Sequence, residues 1–156
     1  MFKQIVVGTD GSDGANIAVD AAIELARLSG ATLHVVNAHR VAGAKAGAAS
    51  QPGVPMVDLV GPDDAIRSVA QRICDRTVER AAQVNVNATG HCVAADAVDA
   101  ILQVAEKSDA DLIVVGNRGM SGVRRFVLGS VPNRLSHHCA SSLLIVDTAP
   151  PAVDTR

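Results

Sequence analysis

The sequence predicts an α/β fold: an open, doubly wound, five-stranded parallel sheet with helices on both faces. Strand-like and helix-like segments alternate along the 156 residues. The strand-like segments are continuous apolar runs, which is typical of parallel strands that are covered on both faces. Two of these runs, at residues 3–9 and 112–116, end in glycine-rich turns. In sheets of this kind, ligands bind beyond the carboxyl ends of the strands.

Composition excludes several classes of protein. Hydrophobic residues make up 48% of the chain, so we expect one folded domain at residues 1–148 with a frayed tail at 149–156. Phe2 and Phe126 are the only aromatic residues, whereas single-stranded nucleic acids are bound by stacking on aromatic rings. The formal net charge of −2 also disfavours binding to duplexes. We therefore expect no nucleic-acid partner.

The chain offers neither a membrane segment nor a disulfide pattern. No apolar run approaches the length of about 18 residues that a membrane helix needs, and a strand pattern stands where a signal peptide would be. We expect a cytoplasmic protein without a membrane partner. The three cysteines, Cys74, Cys92 and Cys139, include no C-x-x-C pair. They are expected to be reduced and mostly buried.

The first strand, β1, is predicted at residues 3–9 and enters a turn at residues 8–12. Ser12 or Asp13 can cap the following helix, α1. Gly30 can adopt the left-handed backbone conformation that commonly ends a helix. The predicted buried stripe of α1 consists of residues at helical spacing: Ile17, Ala21, Leu25 and Leu28. Strand β2 follows at residues 31–37. Residues 40–62 are rich in Ala, Gly and Pro, and we expect a flexible insert there, with a lid over a ligand as the alternative.

The second helix, α2, is predicted to begin at Asp63 and Asp64, where negative charge suits the helix dipole. Its predicted inner face consists of Ile66, Val69, Ile73 and Ala81. Three of its arginines, Arg72, Arg76 and Arg80, are predicted to form a solvated outer face, because Asp75 and Glu79 lie within a turn of them. Strand β3 is predicted within residues 85–94.

The remaining elements complete the alternation. Helix α3 begins at Asp96 and is predicted to bury Val98, Ile101, Leu102 and Ala105. Strand β4 is expected at residues 112–116, helix α4 from residue 130 to about residue 139, and β5 at residues 142–147. The strand order 3-2-1-4-5 makes β1 and β4 neighbours. It places both glycine-rich turns at the point where the strand order reverses.

Residues 112–146 have the composition of an anion site. They contain four arginines (Arg118, Arg124, Arg125 and Arg134) and no carboxylate. Gly116 and Gly119 are followed, after nine residues, by Gly129-Ser130, where a helix begins. Glycines let backbone N–H groups approach a ligand, and a helix N-terminus attracts anions. We interpret the segment as a phosphate site; the simpler alternative is that the glycines only form turns and that Ser130 and Pro132 only begin a helix.

These motifs resemble the universal stress proteins, in their ATP-binding branch. The resemblance covers nearly the whole chain, through IVVGTDGS at residues 5–12, LHVV at 33–36, DLIVVGNRG at 111–119, GSVP at 129–132 and SLLIV at 142–146. It implies a Rossmann-like fold of the adenine nucleotide alpha hydrolase type. One departure is Ala94-Ala95-Asp96, where many relatives carry Gly and Pro.

The resemblance also implies a nucleotide site made of residues from three segments. Asp10 would lie near the ribose or near a phosphate-bound Mg²⁺, which it would hold directly or through water. Val35 would contact adenine through its backbone or its side chain, and Gly129 to Val131 would hold the phosphates. The implied nucleotide-binding residues are Gly8, Thr9, Asp10, Val35, Gly116, Asn117, Arg118, Gly119, Met120, Gly129, Ser130, Val131 and Pro132.

The function that follows is a regulatory or stress-response protein that binds ATP with Mg²⁺ and hydrolyses it weakly at most. No strong catalytic set is visible, and nothing obvious activates water beside Asp10. Three alternatives stay open: the same pocket could prefer cAMP, Asp10 and an arginine could make a slow ATPase or phosphotransferase, or the protein could be a structural dimer with an empty pocket. The resemblance implies a homodimer through the last strand, at residues 143–146.

Two other chemistries are disfavoured by the sequence. An aspartyl nucleophile at Asp10 lacks its usual acidic partners, since Ser12 stands where a phosphatase has a second aspartate. His137, His138 and Cys139 are consecutive on a predicted helix, where adjacent side chains point about 100° apart and chelate a metal poorly.

Overall fold

The computed structural model describes residues 1–40, 62–118 and 128–148. Strands and helices alternate along them as predicted. The nine elements of this part of the chain are β1 (Gln4–Gly8), α1 (Asp13–Ser29), β2 (Thr32–His39), α2 (Pro62–Gln83), β3 (Ala88–Ala94), α3 (Ala97–Lys107), β4 (Leu112–Gly116), α4 (Ser130–His138) and β5 (Ser142–Val146). The expected flexible insert, apart from its first and last residues, and the expected tail at 149–156 lie outside the described residues.

The five strands form one parallel sheet in the order β3-β2-β1-β4-β5, which confirms the predicted topology. In the register, Val7 of β1 pairs with Val35 of β2 on one side and with Val114 of β4 on the other. The carboxyl ends of β1 and β4 are therefore side by side. This register brings the two glycine-rich turns to the same edge of the sheet.

Two aliphatic clusters cover the two faces of the sheet. One cluster packs α1 and α2 against residues such as Ile5, Val7 and Leu33. The other packs α3 and α4 against Val6 and Ile113 from the opposite face. Because successive side chains of a strand point to opposite faces, apolar residues at consecutive positions supply both clusters. None of the described helices combines the length and the apolar character needed to cross a membrane.

The predicted buried stripe of α1 is wrong by about one position. The buried side chains are Ala15, Ala18, Val19, Ala22, Ile23 and Ala26. Ile17 and Leu28 from the predicted stripe are 42% and 64% exposed. A shift of one residue turns a helix face by about 100°, and the face that meets the sheet carries mainly small alanines. Small side chains let the helix axis approach the strands, so residue size decided the contact more than hydrophobicity.

The predicted inner face of α2 is also partly wrong. Ile66 and Val69 are 41% and 47% exposed, whereas Ala81 is buried as predicted and the other buried positions are Ala70, Cys74 and Thr77. The arginine stripe is not wholly solvated either. Arg80 forms an ion pair with Asp20 of α1 and donates to Asn16 Oδ1 at 3.2 Å. This arginine therefore joins the two helices that cover the first face of the sheet.

Paired substitutions on α1 test the corrected face. Ile23→Ala is expected to lower the free energy of unfolding by about 2–5 kcal/mol, because Ile23 lies in the core cluster. Leu28→Ala removes an exposed side chain of the same size. It is expected to change the free energy of unfolding by about 0.5 kcal/mol or less. Urea unfolding of both variants measures the difference. Equal losses, or a larger loss for Leu28→Ala, would show that the stripe predicted from spacing faces the core.

A chain of polar side chains crosses the amino half of the sheet. His34 Nδ1 lies 3.1 Å from His91 Nε2, and His34 Nε2 lies 2.9 Å from Gln4 Oε1. Burial lowers the pKa of both imidazoles; the neighbouring His91 adds to the effect on His34, and Lys107 adds to the effect on His91. The folded protein therefore binds protons at these histidines less readily than the unfolded chain does.

This difference in proton binding makes stability depend on pH. The contribution of the pair is complete above the ordinary histidine pKa of about 6.5 and is lost as the pH falls from there through the lowered folded pKa. Wild type is expected to lose more thermal stability between about pH 7.5 and pH 5.5 than the double variant His34→Gln/His91→Gln. His137→Gln, at an exposed position, is the control and should follow wild type. An equal loss of thermal stability in all three proteins would show that the His34–His91 pair does not cause the pH dependence.

Candidate functional site

Three segments of the chain meet at the carboxyl edge of the sheet: the turn after β1 at residues 8–12, the turn after β4 at residues 116–118, and the start of α4 at residues 129–131. The backbone N–H of Gly129 donates to the carbonyl of Asn117 at 2.9 Å. This bond places the start of α4 directly against the β4 turn. We call these three segments the crest; they include Gly8, Gly116 and Gly129 of the predicted glycine positions, whereas Gly119 lies outside the described residues.

The turn after β1 is held in place by hydrogen bonds to the end of β2. Thr9 N–H donates to the Val36 carbonyl at 2.9 Å, and Asn37 Nδ2 donates to the Thr9 carbonyl at 2.9 Å. Thr9 Oγ1 in turn accepts from Gly11 N–H at 3.1 Å, and both Thr9 and Asn37 are buried. The Thr9 hydroxyl thus braces the turn. Asn37 was not among the predicted site residues, although a polar residue at the end of an apolar strand is a usable signal.

Asp10 and Ser12 lie on the outer part of the same turn. Asp10 Oδ1 accepts from Ser12 N–H at 2.9 Å, and the Asp10 side chain is exposed at the crest. Ser12 Oγ accepts from Ala15 N–H at 3.2 Å, which confirms Ser12 as the cap of α1. Gly11 has φ +77°, and a Cβ there would lie 2.9 Å from Ile73 Cδ1 of α2. The turn therefore requires glycine and presents the Asp10 carboxylate to solvent.

Asn117 fastens the end of β5 to the β4 turn. Its N–H donates to the Val146 carbonyl at 2.8 Å, and its Nδ2 donates to Asp147 Oδ1 at 2.8 Å. Its Oδ1 accepts from both the N–H and the hydroxyl of Thr148, at 3.1 and 2.7 Å. The amide of Asn117 is thus engaged in holding the crest together. Thr148 was not predicted from the sequence, because nothing in the pattern beyond β5 marks it as buried.

Glycines are required where the crest segments touch. A Cβ on Gly116 would lie 2.9 Å from Thr148 Cγ2 and 3.3 Å from the carbonyl oxygen of Arg118. A Cβ on Gly129 would lie 3.0 Å from the carbonyl oxygen of Asn117. Gly8 is similarly enclosed, since its Cβ would lie 2.6 Å from Ile101 Cδ1. These glycines permit close backbone packing at the switch point.

The start of α4 carries the features of an anion-binding helix end. Gly129 is its N-cap and supplies no side-chain hydrogen bond, and no acidic residue lies in the first turn. The first backbone N–H groups of a helix have no partner within it, and the dipole adds partial positive charge there. Ser130 is exposed, whereas Val131 is half-buried and Pro132 is buried. The amides of Ser130 and Val131 are thus the groups this end can offer to an anion.

The arginines do not all contribute to the crest. Arg134 donates to Asp96 Oδ1 at 2.8 Å, and Arg40 lies 3.9 Å from the same carboxylate. Asp96 also caps α3 by accepting from Val98 N–H, and this backbone bond, followed by Arg134, lowers the pKa of Asp96. Arg134 is therefore paired with a carboxylate from outside residues 112–146, which themselves contain none. Arg118, half-buried in the β4 turn, is the arginine of the described crest.

The other predicted residues fall into two groups. Val35 is fully buried in the first core cluster, so its side chain offers no surface to a ligand, and a contact through that side chain is excluded in this conformation. Val35 is buried because it belongs to the apolar run of β2, whose odd-numbered positions face α2. Gly119, Met120, Arg124 and Arg125 lie outside the described residues.

A concavity lies at the opposite, amino end of the sheet. It is a groove of about 690 Å³ between the ends of α3 and α4. Its lining includes Glu106, Asp109 and Asp111, and Asp111 Oδ2 accepts from Lys3 N–H at 2.8 Å. Three carboxylates repel a polyanion. Within the described ranges, no group of three or more His, Cys, Asp or Glu side chains is placed to hold a metal ion.

A doubly wound α/β protein with glycine turns and an uncapped helix start at its switch point belongs to the class that binds ligands at this edge. The chain is a member of the universal stress protein family, whose family model matches residues 1–147. It is 32% identical over 149 residues to the universal stress protein YxiE of Bacillus subtilis, covering 94% of this chain and 99% of the relative. It is 33% identical over 148 residues to Rv1636 of Mycobacterium tuberculosis, covering 94% and 97%.

Solved structures agree with this assignment. The chain is similar to a universal stress protein crystallised in complex with cAMP, with 30% identity and a TM-score of 0.70, covering 95% of this chain and 98% of that one.

Proposed function

We propose that this universal stress protein is a regulatory nucleotide-binding protein that holds ATP with Mg²⁺ at the crest. The observation that carries the proposal is the Gly129–Asn117 backbone hydrogen bond of 2.9 Å, which sets the uncapped start of α4 against the β4 turn. The similar structure in complex with cAMP supports an adenine nucleotide as the ligand class.

The crest offers a complementary group for each part of a nucleoside triphosphate. The amides of Ser130 and Val131 and the guanidinium of Arg118 suit the phosphates, because backbone N–H groups and fixed cations stabilise phosphate oxygens. The glycines at residues 8 and 116 let Ile101 and Thr148 pack directly against the strand ends, which fixes the position of the turns that would hold the ligand. The parts are contributed by β1, β4 and α4, so binding would connect three elements.

The residues present fit a magnesium ion. Mg²⁺ in nucleotide sites is held by one or two carboxylates, phosphate oxygens and water. Asp10 supplies an exposed carboxylate, and Ser130, also exposed, supplies a hydroxyl oxygen at the start of α4. When bound, the ion would neutralise phosphate charge. Asp10 would orient it, while the main chain would position the phosphates.

The crest favours binding over turnover. Fast phosphoryl transfer needs a group that positions or deprotonates the attacking water. Neither a histidine nor a glutamate occurs at residues 8–12, 116–118 or 129–131, and Asp10, the one carboxylate there, is assigned to the cation. We therefore propose at most weak hydrolysis.

A second candidate ligand is cAMP, which is favoured by the similar structure that contains it. A cyclic monophosphate has a single phosphate, so it would use less of the α4 start and would not need a cation. This difference makes the two ligands separable by experiment.

Competition binding in the presence and absence of Mg²⁺ tests the proposal. The affinity of unlabelled ATP, measured by displacement of a fluorescent ATP analogue, is expected to be higher with Mg²⁺ than without it. Asp10→Asn should remove that difference. Asp99→Asn, on α3, is the matched control and should behave as wild type. Tighter displacement by cAMP, independent of Mg²⁺ and of Asp10, would replace ATP by the cyclic nucleotide. No displacement by either nucleotide would reject the proposed function.

We also propose that the protein forms a homodimer through β5. This strand is at the edge of the sheet, and its residues 143–146 are apolar and only half-buried. An exposed apolar edge strand is an aggregation hazard unless another chain covers it. Sedimentation equilibrium should give the mass of two chains; a monomer over the whole concentration range would contradict the dimer.

A further inference from the structure

Two thiols lie close together between α2 and β3. Cys74 Sγ and Cys92 Sγ are 3.5 Å apart, and both cysteines are free. Gly90 makes this approach possible, because a Cβ there would lie 2.9 Å from Cys74 Cβ. Any larger residue at position 90 would push α2 away from β3. A disulfide needs the sulfurs at about 2.05 Å, so a combined movement of about 1.5 Å brings them to bonding distance.

We infer that Cys74 and Cys92 form a reversible intramolecular disulfide when the protein meets a hydroperoxide. The Cys92 thiolate attacks one oxygen of the peroxide, the O–O bond breaks, and Cys92 becomes a sulfenic acid while an alcohol or water leaves. The Cys74 sulfur then attacks the Cys92 sulfur, and the S–O bond breaks. The hydroxyl leaves as water with the proton of the Cys74 thiol. Two thiols are oxidised and one peroxide is reduced.

The environments of the two sulfurs assign their order of reaction. Cys92 is partly exposed on the edge strand, whereas Cys74 is fully buried. Burial raises the pKa of the Cys74 thiol to about 12, so little of it is thiolate at neutral pH. Cys92 is therefore the residue that meets the oxidant, and Cys74 is the resolving partner.

The Cys74–Cys92 disulfide would affect the β1 turn of the crest through two contacts. Ile73, next to Cys74, is the residue that encloses Gly11. Cys92 pairs in register with Asn37, whose amide holds the Thr9 carbonyl. Oxidation would thus fix the packing of two neighbours of the β1 turn. The disulfide itself does not depend on any nucleotide being bound.

Peptide mapping of the full wild-type chain tests the inference. After treatment with hydrogen peroxide, trypsin digestion without reductant should give residues 73–76 joined to residues 81–107. The intact protein should lose about 2 Da, and dithiothreitol should restore it. Cys139→Ser is the control and should form the same bridge, because Cys139 packs in the cluster on the other face of the sheet.

A second variant tests the order of reaction. Cys74→Ala removes the resolving thiol, so dimedone should label Cys92 in this variant and much less in wild type. Recovery of Cys92 as sulfinic or sulfonic acid in wild type, without the joined peptide, would overturn the inference. So would a dimedone adduct on Cys92 that persists in wild type, or disulfides formed only between chains.

Discussion

Valine at position 129 is expected to weaken ATP binding by about 100-fold or more, equivalent to about 2.7 kcal/mol. The backbone of Gly129 has φ −60°, which valine can adopt, but a Cβ there would lie 3.0 Å from the carbonyl oxygen of Asn117. The start of α4 must then move away from the β4 turn. The amides of Ser130 and Val131 would no longer point at a ligand on the crest. Calorimetric titration of Gly129→Val with ATP and Mg²⁺ measures the loss.

A matched glycine substitution separates this effect from a general loss of structure. Gly30 ends α1 at the opposite edge of the sheet, with φ +69°, and a Cβ there would have no heavy atom within 4 Å. Gly30→Asn is tolerated in this left-handed conformation and should bind ATP as wild type does. Unchanged affinity in Gly129→Val, with the fold intact, would show that the start of α4 does not contact the nucleotide.

Removing the Asn117 side chain is expected to lower the free energy of unfolding by about 2–4 kcal/mol and to weaken ATP binding as well. Asn117→Ala deletes the acceptor for the N–H and hydroxyl of Thr148, which is only 9% exposed. A buried donor without a partner costs more than the bond it formed. The β4 turn would also lose its side-chain link to Asp147. Urea unfolding and ATP titration of the same variant measure both effects.

Exchanging the two polar side chains provides the control. Asn117→Asp alone keeps an acceptor for Thr148 but places a carboxylate beside the carboxylate of Asp147, so it should destabilise the protein. The double variant Asn117→Asp/Asp147→Asn again pairs an amide donor with a carboxylate acceptor and should regain most of the stability. Additive losses in the double variant would mean that the 2.8 Å contact between these side chains contributes little.

The fold could be predicted because several independent features agree. Apolar runs without alternation indicated parallel strands, and Ser12 and Gly30 marked the ends of α1. The positions of two glycine turns then favoured one strand order, which the sheet confirms. Local signals of this kind involve few residues close in sequence, so they can be recognised before any long-range contact is known.

The helix faces and the bracing of the crest could not be predicted in the same way. In α1 the predicted and the observed buried faces differ by one position. The alanine face is buried and Ile17 and Leu28 are exposed, because close approach of the helix to the sheet favours small side chains. Asn117 and Thr148 meet across a separation of 31 residues. Arg134 was counted among the arginines of the anion-site segment, but it pairs with Asp96 across 38 residues. Pairings of this range depend on packing that sequence spacing does not encode.

The location of the bound nucleotide tests the central claim most directly. Amide chemical shifts of ¹⁵N-labelled protein, recorded during titration with ATP and Mg²⁺, report each backbone N–H separately. We expect the largest changes at Ser130 and Val131, whose amides the start of α4 offers to the phosphates. Changes confined to the groove around Glu106 and Asp109 at the other end of the sheet, or no changes at all, would contradict nucleotide binding at the crest.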